Sequence, residues 1–139
     1  MDNFLWRLPV YAAALWWGSL TTIGFLVVPL LFMHLPTPAL AGGMAAKLFT
    51  AQTWVSVTCG GILLLISTSK QASAPAQRAH DAIVFILLGL LLALLVEFAV
   101  APRIVTRTNL KLWHSVGSVM YLVQWLCAAI VFWRITPKQ

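Results

Sequence analysis

Residues 82–101 read AIVFILLGLLLALLVEFAVA, an unbroken apolar run whose only ionisable side chain, Glu97, comes near its end. About 20 apolar residues in a helix match a hydrocarbon core of about 30 Å. A helix packed on a soluble core needs only one apolar stripe, and this run is apolar on every face. It therefore predicts a membrane-crossing helix. Three more runs of the same kind accompany it, and the predicted spans are residues 8–33, 46–67, 81–101 and 112–134. Only short connections remain. The sequence thus predicts an all-α polytopic membrane protein, a four-transmembrane-helix up-and-down bundle forming a single domain over residues 1–139.

Composition points the same way. Hydrophobic residues make up 61% of the chain and charged residues 9%, against about 25% charged in soluble domains. The formal charge of +6 fits Lys and Arg at helix ends, where they meet lipid phosphates. No basic face with interleaved aromatics lies outside the spans, which argues against nucleic acid as a partner. The first span continues far beyond the length of a secretory signal and is expected to persist as a helix. Cys59 and Cys127 both fall deep in predicted spans with no C-x-x-C spacing, so buried packing is expected of them.

The spans differ in character. The first is expected to start at Pro9 and to kink or end around Pro29, which lacks a backbone donor. Before the second, Thr37-Pro38 reads as an N-cap followed by a first-position proline. Residues 39–46 then suggest an interfacial helix. Gly42, Gly43 and Ala46, and later Gly60-Gly61, offer small faces for close helix approach, as do Gly89 and Ala93 in the third span. In the fourth, His114, Ser118, Tyr121 and Trp125 share a helical face, with Gln124 beside it. Lipid cannot satisfy such a stripe, so the whole of it is expected to face inward. Helices one, two and four should form the polar interior, with helix three most exposed to lipid. Residues 67–81 read as the one soluble loop, with a flexible turn at 71–77.

Folding the spans up and down gathers ionisable residues at one end: His34, Lys47, Glu97, Arg103, Arg107, Lys111 and His114. A carboxylate inside a span needs a partner, which predicts an ion pair of Glu97 with Arg103 or Arg107. If Pro102 starts a helix, Arg103, Arg107 and Lys111 form one basic stripe. Trp6 and Trp133 suit one membrane interface and Trp113 the other. Trp16, Trp17, Trp54 and Trp125 sit deeper, where Ser19, Thr22, Gln52, Ser56 and Gln124 are available to their indole N–H groups. The end with both termini carries Arg7, Lys70, Arg78, Arg134 and Lys138, the other Lys47, Arg103, Arg107 and Lys111. That slight excess favours cytoplasmic termini.

None of the common nucleotide-binding, zinc-protease or serine-hydrolase motifs is present, and acids are too few for a carboxylate pair in the membrane. The residues Trp17-Gly18, Gly24-Phe25, Pro29, Phe32, Leu35-Pro36, Ala46-Lys47-Leu48-Phe49, Pro102, Arg107, Leu112-Trp113-His114 and Ser118 lie in an order that resembles the transmembrane protein 205-like family. Members are small four-span bacterial membrane proteins with a domain of unknown function. As aligned, that family often carries Asn where this chain has Tyr121. The resemblance implies a four-helix membrane bundle in the bacterial inner membrane and little established biochemistry. Its layout is also distantly similar to copper-resistance D-type membrane proteins and four-span protoporphyrinogen oxidases, which use membrane histidines.

Three functional expectations follow. The first is a non-enzymatic accessory or assembly protein, with membrane lipids and a membrane-protein partner or a second copy as its contacts, and with no catalytic residue, metal or cofactor. The second is a small transporter or a binder of anionic ligands or lipids. The third is a haem- or metal-dependent protein using His114.

Overall fold

The computed structural model describes residues 2–68, 74–107 and 109–136, without the side chains of 2–6 and 75. The Trp6 side chain, Lys70, Lys138 and residues 71–73 of the expected 71–77 turn therefore lie outside what is described. Those that are described form helices and connections, with no strand. Four helical stretches are long and apolar enough to cross a membrane: Arg7–His34, Pro38–Ser67, Ile83–Val105 and Leu110–Ile135.

The first stretch begins with helix α1, Asp2–Thr22. Pro9 does not start it: the helix begins seven residues earlier, and the Pro9 ring is fully buried inside it. The chain then widens into a π-helical segment, Ile23–Val27, and resumes as α2, Val28–His34, with Pro29 in its first turn. The third stretch repeats the device. Helix α5 (Ile83–Leu95) widens into a π segment over Val96–Val100, and α6 (Ala101–Val105) follows with Pro102 in its first turn. A proline removes one backbone donor and its ring crowds the carbonyl one turn earlier. One residue of widening is a local way of relieving that crowding without ending the helix. The helix therefore passes Pro29 instead of stopping there.

Helix α3, Pro38–Ser67, is one continuous helix, so residues 39–46 are its opening turns and not a separate interfacial piece. Its start is the expected one: the Thr37 hydroxyl accepts a hydrogen bond from the Leu40 amide at 3.3 Å. Residues 74–81 were expected as loop and are instead a short helix, α4 (Ala74–Asp81). Its Ala76 and Ala79, with Ala82 just beyond, are buried against α3 and α7. Alanines at that spacing give a narrow apolar stripe that hydropathy over a long window averages away. Helix α7, Leu110–Ile135, completes the set.

Each long helix packs against two neighbours, α1 with α3 and α7, and α5 with α3 and α7. Consecutive spans run antiparallel: Gly60 meets Leu90 while Thr50 meets Glu97. The apolar core fills the half of the bundle nearest the termini, built from Ala12, Ala13, Trp16 and Leu20, Cys59 and Leu63, Ala82 and Ile86, and Ala128 and Val131. Both cysteines are free and buried. The small residues divide. A methyl group on Gly60 would lie 2.6 Å from the Leu90 side chain, and one on Gly89 would lie 2.8 Å from the Trp16 ring. Those glycines, with the buried Ala93, are the close-approach points. Gly42, Gly43 and Gly61 have no neighbour within 4 Å of such a methyl and face away from the other helices. It is the first span, not the third, whose most apolar stretch is least buried.

Candidate functional site

Halfway along the spans, polar side chains of three helices meet. The Ser19 hydroxyl on α1 donates to the Trp16 carbonyl at 3.0 Å and accepts from Gln52 Nε2 on α3 at 3.0 Å. One turn on, the Ser56 hydroxyl donates to the Gln52 carbonyl at 2.9 Å. It accepts from Gln124 Nε2 on α7 at 3.1 Å. Gln52, Ser56 and Gln124 are all buried. Beside this chain, the Tyr121 hydroxyl donates to the Leu20 carbonyl at 2.8 Å, and Trp125 Nε1 donates to the Thr21 hydroxyl at 2.9 Å. Tyr121 reaches that carbonyl because Gly24 has no side chain: a methyl there would sit 2.5 Å from the ring. Hydrocarbon offers no hydrogen bonds, so these groups satisfy one another. Helices one, two and four supply this interior, as the sequence predicts.

The inward stripe is shorter than expected. Tyr121, Gln124 and Trp125 face the bundle, whereas His114 and Ser118 are exposed and Ser118 donates back to the His114 carbonyl at 2.9 Å. Deep indoles also divide. Trp16 and Trp17 bury Nε1 without a partner, as Gln52 does Oε1, while Trp54 points outward with 57% of its surface exposed.

The expected charged cluster does not close. Glu97 is bound by the Thr50 hydroxyl, at 2.9 Å and 3.2 Å to its two oxygens, and not by an arginine. Arg103 donates instead to the Ala99 carbonyl at 2.8 Å, one turn back, and its guanidinium lies 4.4 Å from the centre of the Trp113 ring. The basic stripe is broken, because α6 ends at Val105 and Arg107 sits in a turn with a left-handed φ of 56°. His34 pairs through Nδ1 with the Leu30 carbonyl at 3.0 Å. Lys47, Arg107, Lys111 and His114 are exposed, and their side chains make no hydrogen bond or ion pair among the described residues. No group of three or more His, Cys, Asp and Glu among them is placed to hold a metal. The sequence reading missed Thr50 and the Leu20 carbonyl. Neither a lone threonine nor a backbone carbonyl carries a signal in sequence.

A family profile described as Domain of unknown function (DUF4149) matches residues 11–112. The chain belongs to the DUF4149 family. The matched region takes in all but the opening of the first three spans, the interior residues Ser19, Gln52 and Ser56, and the Thr50–Glu97 pair. No curated protein and no solved structure shows a match. The DUF4149 family and four span-length apolar helices together describe a small integral membrane protein.

Proposed function

We propose that this DUF4149 protein is a non-enzymatic accessory or assembly component of a membrane complex, of the transmembrane protein 205-like type, in the bacterial inner membrane with cytoplasmic termini. The observation that carries this reading is Trp54. It lies near the middle of α3, is 57% exposed, and its indole N–H has no partner among the described residues. Tryptophan favours the headgroup interface, where its N–H is satisfied. At mid-span it faces hydrocarbon unless a protein surface covers it. Gly43, Lys47 and Thr50 continue the same helical face toward the charged end, and Glu97 joins it across the α3–α5 seam through Thr50. A carboxylate held by a single hydroxyl retains capacity for a donor from another chain. The reacting groups of an enzyme would be expected inside, and there the polar residues are neutral amides and hydroxyls.

A photo-crosslinking residue at position 54, in full-length protein in its native membrane, tests this. A discrete adduct, absent when the residue replaces Val119 on the outer face of α7, is the expected result. A second copy of the chain in that adduct would make the partner a homo-oligomer. Crosslinking to lipid alone would end the proposal. A second reading, a binder of anionic ligands, draws on the unpartnered Arg107 and Lys111, and salt-sensitive anion binding lost in Lys111→Gln would favour it.

A further inference from the structure

We propose that the end of the bundle nearest the termini carries a binding site for a phospholipid headgroup, one that pairs a phosphodiester with a hydrogen-bond donor. A cleft of about 430 Å³ opens there between α4 and the end of α7, lined by Arg78, Asp81, Trp133 and Arg134. None of these residues belongs to the mid-span network or to the opposite charged end. The cleft is within the size range of small-molecule sites.

Its walls are held in place. Helix α4 packs against α3 and α7 with its small Ala76 and Ala79 buried. Arg134 is fixed twice: its Nη1 donates to the Asp81 carbonyl at 2.8 Å, and its guanidinium lies 4.9 Å from the centre of the Phe85 ring. Four of its five donors remain. Arg78 is half-buried and has no partner among the described residues. Asp81 accepts from Gln77 Nε2 at 2.9 Å through one oxygen, which leaves the other available. Trp133 is 77% exposed at the last turn of the fourth span, where an indole marks the headgroup level.

Two guanidinium groups and one carboxylate leave one net positive charge. The guanidiniums suit phosphate oxygens in forked geometry. The carboxylate opposes a free dianionic phosphate, and favours a monoanionic phosphodiester whose far end donates a hydrogen bond. Ethanolamine and glycerol headgroups have such donors, whereas choline, with three methyl groups on nitrogen, has none. Free phosphate and a lipid headgroup share the first half of this chemistry and differ in the second.

Native mass spectrometry of delipidated full-length protein separates them. The probes are phosphatidylethanolamine, phosphatidylglycerol and phosphatidylcholine with the same acyl chains, and inorganic phosphate alone. The expected order is retention of the first two over the third, and no retention of inorganic phosphate. Arg78→Gln removes one charge-assisted contact and should weaken retention by about tenfold. Asp81→Ala, which keeps the backbone carbonyl that holds Arg134 and removes both side-chain oxygens, should abolish the preference over phosphatidylcholine. Equal retention of phosphatidylcholine by wild type, retention of inorganic phosphate as strong as that of lipid, or an unchanged Arg78→Gln in protein with an unchanged thermal midpoint, would each overturn the proposal.

Discussion

The middle of the bundle and its charged end solve the same problem in opposite ways. Both hold polar side chains at membrane depth or just outside it. In the middle, Ser19, Gln52, Ser56, Gln124, Tyr121 and Trp125 are neutral and bonded across three helices. At the end, the side chains of Lys47, Arg107, Lys111 and His114 are charged or chargeable, outward-facing and unpartnered among the described residues. Neutral groups can be buried because a hydroxyl and an amide satisfy each other with little residual desolvation cost. A buried charge needs a matched countercharge, and this chain has three acids for nine bases. The described buried residues accordingly include no charged one.

A charge placed in the middle should break that contrast hardest. Gln124→Lys puts an ammonium among amides with no carboxylate beside it, and should destabilise the protein by about 2.5–3.5 kcal/mol or prevent its accumulation in the membrane. Lys111→Gln and His114→Gln, made for comparison at the other end, should stay within about 0.5 kcal/mol of wild type. Thermal unfolding in one detergent measures all three. A tolerated Gln124→Lys would mean that the interior holds enough water to solvate a charge.

Removing the junction of the network should have a smaller effect. Ser56→Ala leaves Gln124 Nε2 without its acceptor on α3, and about 1–2 kcal/mol should be lost, the scale of interhelical hydrogen bonds in membranes. Gln124→Leu combined with Ser56→Ala should then cost less than the sum of the two single changes, because the double variant leaves no unpaired amide at position 124. Additive losses would show that the two side chains act independently.

A smaller loss than that at Ser56 is expected at Glu97. An ion pair with Arg103 or Arg107 would make Glu97→Gln cost roughly 3–5 kcal/mol. With Thr50 as the partner, a glutamine oxygen still accepts the hydroxyl, and the loss should stay below about 1 kcal/mol. Thr50→Val should match it. A large loss for Glu97→Gln alone would restore the ion pair.

What the sequence by itself determined is whatever a single helix settles alone. Length and hydropathy set the four spans, Thr37 and Pro38 set the start of the second, and the polarity of helices one, two and four set which would build the interior. Each of these depends on local composition or on backbone groups within one turn. Tertiary structure decided which way each side chain points around its helix axis. His114 and Tyr121 share a stripe in sequence, yet only Tyr121 meets a neighbour, because the first span passes close at Gly24. Gly42 and Gly43 read as a packing face and meet nothing within 4 Å, whereas Gly60 and Gly89 receive Leu90 and Trp16. Arg103 lies within reach of its own helix carbonyl and of Trp113, so it had no need of Glu97. Rotation about a helix axis is fixed by all its neighbours at once. In lipid no solvent-facing polar side marks the outward face, and periodicity alone carries too little information to choose it.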